Sequence, residues 1–284
     1  MRNLCFVFIF LITISPVFAQ KKESNNTKKS FLELPRIEVV PITDTNTDRH
    51  YELYIKLPEG YSEKSNKKHP VLYFTDAMWH IEILSGTTEY LLENAILVGI
   101  SWQKDIDENL KKEIREHISR YRDYSIRKSD NKEYQATYQY GQANNHLSFI
   151  RNDVFKYVEN KYQTNENNRT YFGYSMGGEF GAYILLTQPD TFKNYILGSP
   201  SLNNDIPLLS ELKFKHKKLN ANVLVSYGTL EKELGYNAEK FISILKSRND
   251  KSLLLKHVII EGSHQTAFPM TAVKSMYWLS ALIK

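Results

Sequence analysis

Apolar and polar positions are distributed along this chain in two different rhythms, and the change of rhythm sets the elements to expect. Residues 37–42 and 51–57 are short strand-like runs, and in the second Leu53, Ile55 and Leu57 alternate with Glu52, Tyr54 and Lys56. Such alternation marks a half-buried strand, and the polar turn between the two runs makes them an antiparallel pair. The later runs at 70–75, 95–100, 195–198, 222–227 and 253–260 are almost wholly apolar, as in strands buried on both faces. Between them the spacing changes to that of helices. Residues 81–93 and 267–283 read as helical, and 147–162 carries Phe149, Ile150, Phe155 and Val158 as apolar anchors of an amphipathic helix. Strands alternating with helices predict an α/β fold, with a mostly parallel sheet covered on both faces.

The rhythm fails between residues 101 and 145, a polar, densely charged segment that also carries Tyr121, Tyr124, Tyr134, Tyr138 and Tyr140. A long insertion beyond the carboxyl end of a strand in such a sheet overlies the ligand crevice, so 101–145 is expected to be a substrate-facing cap. No internal repeat or second domain is apparent, and a single domain is expected over 31–284.

The N-terminus has a different character. Residues 1–19 hold one charge, an apolar stretch and a small-residue end with Val17 and Ala19 placed for cleavage, which is the pattern of a secretory signal peptide. A periplasmic or secreted protein is expected, its polar, lysine-rich residues 20–30 forming a disordered leader. The only cysteine, Cys5, leaves with the signal, so stability must come from core burial, for which the remaining length suffices. A net charge of +5 on 284 residues is too small to argue for nucleic acid. No later apolar run is long enough to suggest a membrane span after signal cleavage. No metal site and no cofactor are expected.

The most informative motif is Gly173-Tyr174-Ser175-Met176-Gly177, with Gly178 following. It is entered from a strand-like run at 169–173 and left through a helical pattern at 179–186. A serine at a sharp strand-to-helix turn needs glycines on either side because the turn is crowded. That context makes Ser175 the expected nucleophile of a serine hydrolase, and the chain order of the α/β-hydrolase fold then places an acid and a histidine after it. His264 follows the last strand in a loop of small residues and is the expected base, whereas His216 lies in a lysine-rich segment and His257 inside a strand. Beyond the strand at 222–227, Glu231 stands three residues past Gly228 and is the expected acid, with Glu233 as the alternative. The oxyanion hole should take the Met176 amide and a second amide from Ala77 or Met78, after the strand at 70–75.

These residues resemble the putative esterases of the α/β-hydrolase superfamily, which include enterobactin-type siderophore esterases, feruloyl esterases and bacterial mycolyltransferases. The resemblance runs from about residue 37 to the C-terminus. It rests on the motif around Ser175 and on Arg120-Tyr121-Arg122-Asp123-Tyr124, Gly141-Gln142-Ala143, Gln188-Pro189-Asp190, Ser199-Pro200-Ser201 and Gly228-Thr229-Leu230-Glu231. It implies a Ser175, Glu231, His264 triad and a crevice in which Arg120, Arg122, Tyr124, Gly141, Tyr174 and Ser201 meet substrate. The chain departs from the family pattern at Ala77, where glycine is usual, and at Gln265, where a second histidine is frequent. The expected activity is that of an exported serine carboxylic-ester hydrolase on a small-molecule ester of the siderophore type. A feruloyl or acetyl esterase acting on carbohydrate-linked esters and an acyltransferase remain open, because the acyl-enzyme half-reaction is common to all of them. A binding protein of the same fold without chemistry is disfavoured by the intact triad residues.

Overall fold

The computed structural model describes residues 34 and 36–283, so the expected signal peptide and leader lie outside the described residues. Strands β1 (Ile37–Asp44) and β2 (Arg49–Lys56) form the anticipated hairpin, with Ile37 opposite Lys56 and Asp44 opposite Arg49. The chain then runs through β3 (His69–Phe74), helix α1 (Ala77–Leu91) and β4 (Ile96–Ile100). The insertion holds α2 (Glu108–Ile114), α3 (Ser119–Asp123) and α4 (Lys132–Tyr138). Next, α5 (Ala143–Phe149) continues through a π turn at Ile150–Val154 into α6 (Phe155–Lys161). The second half alternates regularly: β5 (Thr164–Tyr174), α7 (Met176–Thr187), β6 (Asn194–Gly198), α8 (Ile206–Leu212), β7 (Asn222–Gly228), α9 (Lys232–Ser247), β8 (Leu254–Ile260) and α10 (His264–Leu282).

The eight strands make one sheet in the order β1-β2-β4-β3-β5-β6-β7-β8. The first two pairings, β1 with β2 and β2 with β4, are antiparallel, and all the others are parallel. This is a mostly parallel sheet of the α/β-hydrolase type. Because successive side chains of a strand point to opposite faces, the continuous apolar runs serve two cores at once. Val71, Tyr73, Val98 and Leu197 pack with Leu147, Val158, Phe180 and Phe241 on one face. Leu72, Phe74, Leu97 and Ile196 pack with Ile81, Leu84, Met276 and Leu279 of α1 and α10 on the other. Each such side chain contributes roughly 1.5–3 kcal/mol when fully buried.

Several elements depart from the sequence pattern. Helix α1 begins at Ala77, four residues earlier than residue 81, because Asp76 takes a left-handed conformation (φ 56°, ψ 45°) that turns the chain abruptly out of β3. Helices α8 and α9 have no counterpart in the pattern set out above, although α9 buries Ala238, Phe241, Ile242 and Leu245 at helical intervals. The insertion is not a featureless loop. Asp107 caps α2 by accepting the amides of Asn109 and Leu110, and Asn131 caps α4 in the same way through Glu133 and Tyr134. None of the helices over the described residues is long and apolar enough to cross a membrane.

Candidate active site

The sharp turn between β5 and α7 presents Ser175 with φ 58° and ψ −120°, a conformation that costs a non-glycine residue about 1–3 kcal/mol. The surroundings hold it there. The Ser175 amide donates to Gly198 O at 2.9 Å, and the Ser175 carbonyl accepts from the amides of Glu179 and Ser201 at 3.0 and 3.1 Å. The flanking glycines are steric requirements: a Cβ on Gly173 would collide with the backbone of Gly177, and one on Gly177 would collide with Thr75 Oγ1. The Ser175 hydroxyl lies 3.2 Å from that of Ser201.

His264 and Glu231 come together from the loops after β8 and β7. Ser263 caps α10 in a reciprocal arrangement with Thr266, which places His264 in the first turn of the helix. His264 Nδ1 is 2.5 Å from Glu231 Oε1, leaving Nε2 as the nitrogen directed away from the carboxylate. Glu231 Oε2 accepts from Ser199 Oγ at 2.7 Å and from the Gly228 amide. Burial pushes the Glu231 carboxyl up, but the bonds from His264, Ser199 and Gly228 outweigh it and hold it below the usual carboxylate range. Glu233, the alternative acid, is exposed and accepts from Asn203 at 3.0 Å instead. His216 bonds the Thr187 carbonyl at 2.7 Å, and His257 lies 3.4 Å from Glu239.

Ser199 also belongs to this cluster, beyond the residues expected from the sequence. Its hydroxyl donates to Glu231 and lies 2.9 Å from the Tyr174 hydroxyl, which donates to the His264 carbonyl at 2.6 Å. With one proton each, the Ser199 hydroxyl serves Glu231 and the Tyr174 hydroxyl serves the His264 carbonyl, and the two oxygens lie side by side where the ends of β5, β6 and β7 meet α10. The signal was present in Ser199-Pro200-Ser201 at the end of a strand, but nothing in the sequence says which of the two serines faces the acid.

The amides expected to form an oxyanion hole lie at two helix starts. Met176 is the first residue of α7, and Ala77 and Met78 are the first two of α1. Such N–H groups have no partner within their helix and sit at its positive end. The turn before α1 is braced by an ion pair in which Arg120 Nη2 donates to Asp76 Oδ2 at 3.1 Å while Nε lies 2.7 Å from Oδ1. Trp102 Nε1 also donates to Oδ1, at 2.7 Å. Ala77 is accommodated where glycine is usual because its methyl group lies over Gly99 of β4, the position where a second Cβ would crowd it. Gln265, the other departure, is exposed.

The expected substrate-facing residues separate. Ser201 stays beside Ser175. Arg122 does not face a crevice: it is buried, with Nε 2.8 Å from Asp123 Oδ1 and Nη2 3.2 Å from the Tyr51 hydroxyl. Tyr124 is 1% exposed and stacks on Phe180. Tyr174 is committed to His264 and Ser199, as described. Arg120 is committed to Asp76, with its guanidinium over the Trp79 ring at 4.8 Å. Gly141, at φ +87°, allows close approach to the Lys128 backbone and donates its amide to Ser125 Oγ at 2.7 Å. Arginines and tyrosines alone in a sequence cannot be told apart as ligands or ties, and here most are ties.

The cavity that does open beside Met176 and Ser201 has a volume of about 460 Å³ and is lined from the insertion by Ser125, Arg127, Lys128 and Tyr140, and from below by Glu179 and Asp205. Arg127 Nε donates to Asp205 at 2.8 Å. Burial above all, and then the adjacent Asp205 charge, push the Glu179 carboxyl well above the usual range.

The relatives of this chain are consistent in kind. A family profile described as "Putative esterase" matches residues 45–284. The ferri-bacillibactin esterase BesA of Bacillus subtilis is 28% identical over 236 residues, covering 73% of this chain and 75% of that protein. Among solved structures, a BES protein from Bacillus cereus superposes with a TM-score of 0.75 at 20% identity, covering 89% of this chain and 97% of that one. An IroE-like serine hydrolase from Shewanella oneidensis gives 0.71 at 21% identity, covering 86% and 80%. With this fold, this disposition of residues and a family match over most of its length, the chain belongs to the putative esterase family and is a carboxylic ester hydrolase.

Proposed function

We propose that the protein is an exported serine esterase that hydrolyses a siderophore-type ester through an acyl-enzyme. The observations that support the mechanism are the Glu231–His264 contact at 2.5 Å and the strained, partly exposed Ser175 at the turn before α7. In this reading His264 Nε2 takes the Ser175 proton as Oγ attacks the ester carbonyl. The negative charge that develops on the carbonyl oxygen is met by the amides of Met176 and of Ala77 or Met78. Collapse expels the alcohol, which leaves with the proton held by His264, and a water then repeats the sequence to release the acid and restore Ser175. Glu231 stays ionised throughout, fixing the imidazole tautomer and stabilising the imidazolium.

The substrate class rests on the similarity to a ferri-bacillibactin esterase over most of both chains, and location outside the cytoplasm rests on the signal-like residues 1–19. The test is to compare the purified protein on a ferric trilactone siderophore, a feruloyl sugar and an acetylated sugar, following the released acids by mass spectrometry. The siderophore should have the highest kcat/KM. Preference for either sugar ester would contradict the substrate class while leaving the serine chemistry in place.

A further inference from the structure

The ester chemistry makes no use of His80, a buried histidine in the first turn of α1. Its Nδ1 lies 3.0 Å from the carbonyl oxygen of Thr75, the residue that follows β3. A carbonyl oxygen can only accept, so Nδ1 carries the proton. Burial outweighs the neighbouring Asp76 carboxylate and pushes the imidazole below the ordinary histidine range, so this N–H is the ring's one donor at neutral pH. The bond closes a turn. Asp76 leaves β3 in a left-handed conformation, and its carbonyl accepts the amides of Trp79 and His80 at 2.9 and 3.2 Å. The amides of Ala77 and Met78 are left without a partner among the described residues, which is the condition for meeting an oxyanion. With the Asp76 side chain drawn away to Arg120 and Trp102, it does not cap α1. The Thr75 carbonyl and the His80 ring therefore span the segment that holds both free amides, one at each end of it.

The same ring also leads to the base. It stacks on Phe268 with centroids 4.6 Å apart and planes inclined by 26°, and it meets Phe172 of β5 edge-on at 5.8 Å. Phe268 lies one helical turn beyond His264 on α10 and meets Tyr174 at 5.1 Å. Tyr174 in turn lies 5.1 Å from the His264 ring and donates to the His264 carbonyl. One packed row of rings thus joins the turn before α1 to the helix that carries His264.

We propose that His80 is a positioning residue for ester cleavage: its Nδ1–H holds the Thr75 carbonyl so that the Ala77 and Met78 amides point at the developing oxyanion, and its ring fixes that turn against the helix of His264. The proposal deepens, and rests on, the reading of the protein as a serine esterase.

Two substitutions separate the bond from the ring. His80→Asn puts an amide nitrogen where Nδ1 stands, which keeps a donor for Thr75 and removes the ring, whereas His80→Phe keeps a ring and removes the donor. Both are measured on a small aryl acetate, with rates normalised to the sites titrated by a fluorophosphonate, so that loss of folded protein does not count as loss of rate. His80→Phe should lower kcat about ten- to hundredfold with KM little changed, as displacement of an oxyanion donor does. Its inhibition constant for an aryl trifluoromethyl ketone, whose reversible serine adduct carries the same oxyanion, should rise by about the factor by which kcat/KM falls. His80→Asn should lose melting temperature through the space opened beside Phe268, yet keep most of the wild-type kcat. A kcat in His80→Asn reduced by about tenfold or more, or a wild-type kcat per titrated site in His80→Phe, would overturn the role of His80 and leave the esterase reading in place. A wild-type protein that neither takes the label nor turns over the acetate would overturn both.

Discussion

Glu231 meets His264 through one carboxylate oxygen and Ser199 through the other, so the acid is anchored on β6 and β7 before it touches the imidazole. The orientation of His264 therefore depends on a residue that never approaches the substrate. Replacing Ser199 by alanine should lower kcat several-fold to tenfold with little change in KM, because the acid loses one of its three donors but not its charge. Steady-state kinetics on a small aryl acetate would measure this, and an effect confined to KM would argue that Ser199 acts on substrate instead.

The identity of the acid is separately testable. Glu231→Gln should reduce kcat by about 10³- to 10⁴-fold, since the amide favours the wrong tautomer and cannot stabilise the imidazolium. Glu233→Gln, which removes only an exposed bond to Asn203, should remain within about twofold of wild type. Reversed results would place the acid two residues further along the loop.

Glu179 makes a prediction about stability against pH. Its folded carboxyl is pushed well above the ordinary value by burial and then by the adjacent Asp205 charge, against the opposing pull of Arg127. A raised folded value means that its contribution is fully present below the unfolded value of about 4.3 and is lost as pH rises through the folded one. Glu179→Gln cannot ionise. It should therefore gain in melting temperature relative to wild type as the pH is raised from 4 to 9, with Asp205 and Arg127 the charged groups facing it. A difference that does not change with pH would contradict this.

Arg122 and Arg120 should behave differently although both are paired and largely buried. Arg122→Ala leaves Asp123 unpaired inside the fold and should cost about 3–5 kcal/mol of stability, read by denaturant unfolding. Arg120→Ala unpairs Asp76 at the start of α1 and should in addition lower kcat on every ester, large or small, because it loosens the turn that carries the Ala77 and Met78 amides. Loss on large substrates alone would return Arg120 to substrate recognition.

Much of this architecture can be read from the sequence, and the gaps have physical causes. The strands and the placement of Ser175, Glu231 and His264 at their carboxyl ends follow from local periodicity and from the steric demands of Gly173 and Gly177. Helix α9 is hard to read from the sequence because its lysine- and glutamate-rich outer face dilutes the apolar stripe of Ala238, Phe241, Ile242 and Leu245. The roles of the arginines and tyrosines are not legible in the sequence. Whether Arg122 meets a substrate or Asp123 depends on tertiary packing against Tyr51, which residues distant in sequence decide. Arg127, Tyr140, Glu179 and Asp205 share a cavity only because α7, the insertion and the loop before α8 converge.

The central claim is that Ser175 is the nucleophile, and covalent labelling tests it most directly. A fluorophosphonate should add one equivalent to the wild-type protein, with the adduct mapped by peptide mass spectrometry to the Gly173–Gly177 segment. Ser175→Ala should take up none and should lose at least about 10⁴-fold in ester hydrolysis. Its melting temperature should stay close to wild type, since Ser175 is partly exposed and its backbone carries the turn's bonds. Stoichiometric labelling of a folded Ser175→Ala protein, or retention of its turnover, would contradict the account.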